Sequence, residues 1–74
     1  MVEKLIKEIK EKYNLEIETK IKFINVYTIS FKLEGKEISF VYMYDNLSSF
    51  EENLKELEHK VNDEIIYFYK RKEK

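Results

Sequence analysis

The chain has no cysteine. That excludes a disulfide framework and a thiolate zinc site, and it leaves the redox compartment unconstrained. Proline, alanine, glutamine and tryptophan are also missing, and there is one glycine (Gly35), one arginine (Arg71) and one histidine (His59). A lone glycine rules out a glycine-rich phosphate loop. One histidine without a cysteine gives no nucleophile–base pair, so no catalytic residue and no enzymatic activity are expected. No apolar run approaches the roughly 18 residues of a membrane span. Charges interrupt Met1–Tyr13 throughout, unlike a signal peptide, so a cytoplasmic location is expected. Neither sign of charge dominates: charged residues make up 39% but the net charge is −1, which does not by itself point to nucleic acid.

What is present is apolar and aromatic. Hydrophobic residues make up 43% of 74 residues, with six Tyr and five Phe, too much for a disordered chain. A chain of this length forms one domain, 1–74, burying only about 60% of its extended surface. Phe, Tyr, Met, Ile, Asn and Lys dominate. That bias suggests an AT-rich coding source, such as a low-GC bacterium, a phage or a mobile element. A thermophilic origin also fits the Lys/Glu enrichment.

Val2, Leu5, Ile6, Ile9 and Tyr13 recur at spacings of three and four, which predicts a helix over Val2–Tyr13. Glu3–Lys7 and Glu8–Lys12 are i,i+4 pairs, and Asn14 suits a left-handed C-terminal position. From Glu16 the period becomes two. Ile17, Ile21 and Phe23 form one inward set; Tyr27, Ile29, Phe31 and Leu33 a second; Ile38, Phe40, Tyr42 and Tyr44 a third. Three half-buried strands follow. A two-residue turn at Glu34-Gly35 pairs Leu33 with Lys36 and Phe31 with Ile38, keeping all core side chains on one face. The first hairpin then needs an odd loop, Ile24-Asn25-Val26, pairing Phe23 with Tyr27 and Ile21 with Ile29. A second helix begins near Ser48, where Ser48-x-x-Glu51 is a capping box that Ser49-x-x-Glu52 repeats. Its stripe is Leu47, Phe50, Leu54, Leu57, Val61, Ile65 and Phe68.

The expected fold is α+β: a helix, a three-stranded antiparallel meander and a long C-terminal helix (αβββα), both helices covering one sheet face. An alternative, αβββαβ, makes Ile65–Lys70 a fourth strand, because Ile65-Ile66-Tyr67-Phe68-Tyr69 is rich in strand formers. Ile65 and Phe68 extend the helix stripe; Ile66, Tyr67 and Tyr69 do not.

Candidate surfaces follow from what the core leaves over. Asp45 to Glu64 carries net −5, with Asp45, Glu51, Glu52, Glu56 and Glu58 as candidates for meeting a basic site on a partner. Solvated helix carboxylates near a helix N-terminus have the same composition. The third strand has no charge between Ile38 and Tyr44, so its edge is unprotected, and Val41 and Met43 belong to an uncharged outer sheet face with Val26, Thr28, Ser30 and Ser39. With Ile66 and Tyr67 these suit self-association. Lys70-Arg71-Lys72-Glu73-Lys74, net +3 and next to Tyr67 and Tyr69, has the composition of a nucleic-acid contact, and equally of an ordinary helix C-terminus. His59, between Glu58 and Lys60, reads as a solvated residue rather than a metal ligand. No cofactor and no metal are expected. The expected partners are a host protein with a basic site or a second copy of the chain, with nucleic acid a weaker alternative and no membrane.

The element order is also that of double-stranded-RNA-binding domains, but their lysine-rich second-helix start is replaced here by Ser48-Ser49-Phe50-Glu51-Glu52. The same order, with Leu5-Ile6-Lys7-Glu8-Ile9-Lys10-Glu11-Lys12 in the first helix and an acidic second half, resembles small phage-encoded anti-CRISPR proteins that inhibit Cas9 by imitating nucleic acid. That resemblance implies a non-enzymatic inhibitor whose acidic residues, here Glu51, Glu52, Glu56 and Glu58, carry the binding.

Overall fold

In the computed structural model, which describes residues 2–72, α1 spans Val2–Tyr13, β1 Ile17–Phe23, β2 Val26–Leu33, β3 Lys36–Met43 and α2 Phe50–Lys72. The sheet is antiparallel in the order β1-β2-β3, so the fold is the αβββα meander. Ile65–Lys70 is helical to its end. This overturns the fourth-strand alternative: the i,i+4 stripe through Val61 and Ile65, unbroken by Gly or Pro, outweighs the strand preference of Ile and Tyr.

One side of the sheet is packed. Val2, Leu5, Ile6 and Ile9 of α1 and Leu57 and Val61 of α2 are buried with Ile17, Ile29, Phe31, Tyr42 and Tyr44. α1 ends where Asn14 takes φ 54°. There the Leu15 N–H donates back to the Lys10 carbonyl at 3.3 Å, satisfying one of the orphan carbonyls of the last turn. Lys12 reaches Glu58 on α2, tying the two helices together on the surface; this carboxylate is what raises the Lys12 pKa.

The second hairpin has the expected register, with Leu33 opposite Lys36 and Phe31 opposite Ile38. Its turn needs two left-handed residues, Glu34 at φ 51° and Gly35 at φ 80°, the pattern of a type I′ turn. Glycine takes that conformation freely, whereas glutamate carries a Cβ penalty. Asn is far better tolerated there, so Glu34→Asn is expected to gain about 0.5 kcal/mol by urea denaturation. The accompanying loss of the exposed Glu34–Lys72 pair costs little.

The first hairpin differs from expectation. Ile21 lies opposite Tyr27 and Phe23 opposite Val26, with a register shift between Ile21 and Phe23. The turn is therefore Ile24-Asn25, and Lys22 is the extra residue of a bulge. Asn25, at φ 60°, supplies the left-handed position that shortens the loop. Because opposed residues share a face, the bulge moves Phe23 from the expected inner face to the outer face beside Val26.

The helices reach only the start of β1. Ile17 is its one buried residue; Ile21 stays on the inner face but is 77% exposed. Leu47 is likewise outside the expected stripe, 98% exposed in the loop before α2.

The join between β3 and α2 is organised around one buried polar side chain. Asn53 is 1% exposed. Its Oδ1 accepts from the Tyr42 hydroxyl at 3.1 Å and from the Asp45 N–H at 3.0 Å. Its Nδ2 donates to the Asp45 carbonyl at 2.9 Å and the Ser49 carbonyl at 3.0 Å. One side chain thus joins the last strand to the next helix and satisfies backbone groups that a tight loop would leave unpaired. The capping box is Ser49 with Glu52, each side chain bonded to the other's N–H at 3.1 Å. The Ser48–Glu51 box does not form, because Ser48 donates to Asp45 at 2.7 Å in a turn that Asp45 also closes by accepting from the Leu47 N–H at 2.9 Å. Ser49→Ala is expected to cost about 1 kcal/mol and Ser48→Ala a few tenths; equal losses in chemical denaturation would argue against this cap.

Candidate binding surface

β3 is an open edge. The two-residue turn makes Leu33–Lys36 a hydrogen-bonded pair, and such pairs alternate along an antiparallel ladder. Lys36, Ile38, Phe40 and Tyr42 therefore bond inward to β2. The Tyr44 N–H donating to the Asn25 carbonyl at 2.8 Å continues the same phase. Glu37, Ser39, Val41 and Met43 turn their N–H and C=O groups outward. Between Ile38 and Tyr44 this edge carries no charged side chain, and β3 has no bulge such as β1 has, so over that stretch two usual protections against strand addition are missing.

A cleft of about 660 Å³ runs beside the first half of this edge. Lys36, Ile38 and Ser39 form one wall and Tyr67, Phe68 and Arg71 the other. α2 supplies the second wall because it runs back along β3: its start is bonded to Tyr42 through Asn53, and its end reaches the β2–β3 turn, where Lys72 pairs with Glu34. Arg71 lies over the Tyr67 ring at 5.5 Å, and Phe68 meets Tyr69 edge-on at 5.2 Å.

The outer sheet face is uncovered. Phe23, Val26 and Met43 form one row across the three strands, and Thr28 and Val41 begin the next. Phe23 and Met43 are 66% and 65% exposed. Farther along, Ser30 and Ser39 share a hydrogen bond at 2.8 Å. The sequence indicated Val41 and Met43 but missed Phe23; its signal was Asn25, which favours a shorter turn and hence a bulge.

The five acidic candidates do not form one face. Glu51, Glu52 and Glu56 are exposed on α2, but Glu58 is held by Lys12. Asp45 belongs to the loop, where the Ser48 hydroxyl and then the Leu47 N–H hold its carboxyl below the usual range. Tyr67 joins the cleft, while Ile66 is exposed outside its lining. Lys70, Arg71 and Lys72 form the last turn of α2; Glu73 and Lys74 lie outside the described residues. His59 is exposed, and among the described residues no group of three His, Cys, Asp or Glu side chains is placed to hold a metal. No described helix is long and apolar enough to cross a membrane.

Among the described residues, Tyr42 is the one strongly shifted group. Burial, followed by the nearby Glu56, Tyr44 and Asp45, raises its pKa to about 12. It is thus a neutral hydrogen-bond donor at physiological pH, suited to structure rather than proton transfer.

No protein family, curated protein or solved structure matches this chain.

Proposed function

We propose that this chain is a non-enzymatic protein-binding module that works by accepting an additional β-strand at the edge of β3. The observation that carries this reading is the run Glu37, Ser39, Val41 and Met43, with outward backbone groups, no charge from Ile38 to Tyr44 and a cleft alongside. Strand addition draws affinity from main-chain hydrogen bonds and specificity from pockets for alternate side chains. The cleft walls Ile38, Tyr67 and Phe68 offer such a pocket.

A second reading, an inhibitor of phage or mobile-element origin that presents carboxylates to the basic site of a host nucleic-acid-binding protein, is supported by the exposed Glu51, Glu52 and Glu56. It loses Glu58 and Asp45 to internal contacts, and Glu52 already accepts from the Ser49 N–H in the capping box.

Selection from a displayed random-peptide library tests both. Strand acceptance predicts enrichment of β-prone, weakly charged peptides whose binding is lost in Val41→Lys. The acidic reading predicts Lys/Arg-rich peptides whose binding falls with salt and is lost in Glu51→Lys. Failure to enrich any peptide would count against both.

A further inference from the structure

We infer that the strand accepted at the β3 edge is β3 of a second copy, so that two chains form one six-stranded sheet about a two-fold axis through Phe40. The inference rests on the strand-accepting role of that edge and specifies its occupant.

Register is the first argument. With Phe40 on the axis, Ser39 falls opposite Val41 of the second copy and Glu37 opposite its Met43. Every outward N–H and C=O from Glu37 to Met43 then finds a partner. Moving the axis to Ser39 places Met43 against the turn residue Gly35. Moving it to Val41 places Glu37 against Asp45, two carboxylates facing each other. Registers centred between residues match outward-facing groups with inward-facing ones. Of these alternatives, only the Phe40-centred pairing satisfies the whole edge without a like-charge contact.

Charge is the second argument, and it is independent of the ladder. α2 runs antiparallel to β3, from Asn53 beside Tyr42 to Lys72 beside Glu34. A two-fold axis perpendicular to the sheet puts both copies of α2 on the same side, running in opposite directions. The basic end of each, Lys70, Arg71 and Lys72, then lies toward the acidic first turn of the other, Glu51 and Glu52. The polarity of this segment is self-complementary under that operation, as an isologous interface requires.

The cleft is the third. Residues 41–43 of the second copy lie opposite Glu37–Ser39 in this register, so the backbone of the second β3 runs along the mouth of the cleft that Tyr67 and Phe68 bound. On the other side of the sheet, the exposed Val41 and Met43 of the two copies become parts of one continuous outer face.

The absence of cysteine makes the test clean. Paired residues in a hydrogen-bonded position have Cα atoms about 5.5 Å apart, within the range a disulfide spans. Mixing Ser39→Cys with Val41→Cys chains under mild oxidation is expected to give the mixed cross-linked dimer well above either self-linked species. Sedimentation is expected to show a dimer at micromolar concentration. Val41→Lys is expected to weaken it at least tenfold, with a thermal melt like that of the native chain once both are diluted to monomer, and raising salt from low to about 0.5 M to weaken it several-fold. A strict monomer at several hundred micromolar would overturn the inference, as would preferential self-linking of either variant, which would mean another register. If library peptides still bind in a Val41-dependent way while the chain stays monomeric, this inference fails and the strand-accepting role stands.

Discussion

Replacing Asn53 with leucine is expected to remove about 3 kcal/mol of stability. The volume is nearly conserved, so the cost is polar. The Asp45 N–H and the Asp45 and Ser49 carbonyls lose the bonds Asn53 makes to them. Tyr42 keeps only its longer contact, 3.3 Å, to the main-chain oxygen of residue 53. A buried donor without an acceptor costs roughly 1–3 kcal/mol, and the network contains more than one such group. A chain of this length is stable by roughly 4–11 kcal/mol, so the variant should be extensively unfolded in moderate urea. The double variant with Tyr42→Phe should lose less than the sum of the two singles, because the groups share bonds. A loss below about 1 kcal/mol for Asn53→Leu would mean the β3–α2 join is held by apolar packing alone.

Alkaline titration should destabilise the protein through the same group. In the unfolded chain Tyr42 ionises near 10; in the folded chain its pKa is raised to about 12. The fold therefore favours the protonated hydroxyl, and its contribution is fully present below pH 10. It declines as pH rises from 10 and is gone above 12. Two pH units correspond to about 3 kcal/mol. Burial is the leading cause: an isolated phenolate inside the core has lost its water. Urea melts at pH 9 and pH 11.5 should thus differ much more for the native chain than for Tyr42→Phe. Equal pH dependence in the two would show that the hydroxyl is not taken from water by folding.

Periodicity and turn chemistry made most of the fold legible. α1 ends at Tyr13 with Asn14 left-handed, and the second hairpin has its expected register, because one glycine and the alternation around it leave little choice. The first hairpin was less legible. Both an odd loop and a bulge keep Ile21 on the inner face; they differ in its partner, Ile29 for the loop and Tyr27 as found, and in the face that Phe23 takes. Burial was also harder to read than direction. Ile21 points to the inner face yet stays exposed, since sequence alternation assigns a face but not the reach of a helix above it. Asn53 escaped because a polar residue on an apolar stripe registers as a gap, and its partners Tyr42 and Asp45 are distant in sequence. For the candidate surface, the bare β3 edge was visible as missing charge. The cleft was not, because it depends on where α2 travels. The scattering of Glu58 and Asp45 away from the other carboxylates was also hidden, since charge counted along a segment does not say which side chains find internal partners.

The thin cover over β1 has a kinetic consequence. With Ile17 as its only buried residue, β1 has little beyond its ladder to β2 to hold it. Sub-global opening is cheapest where few apolar contacts must be given up. β1 should therefore detach well before the β2–β3–α2 unit loses its order, and its amides should exchange with solvent by a route that needs no global unfolding. Each detachment bares the second side of β2, so for a moment the protein has two acceptor edges instead of one. Chains caught in that state could add strands at both ends. The rate at which β1 lets go, rather than the overall stability, would then set how fast concentrated solutions grow fibrils.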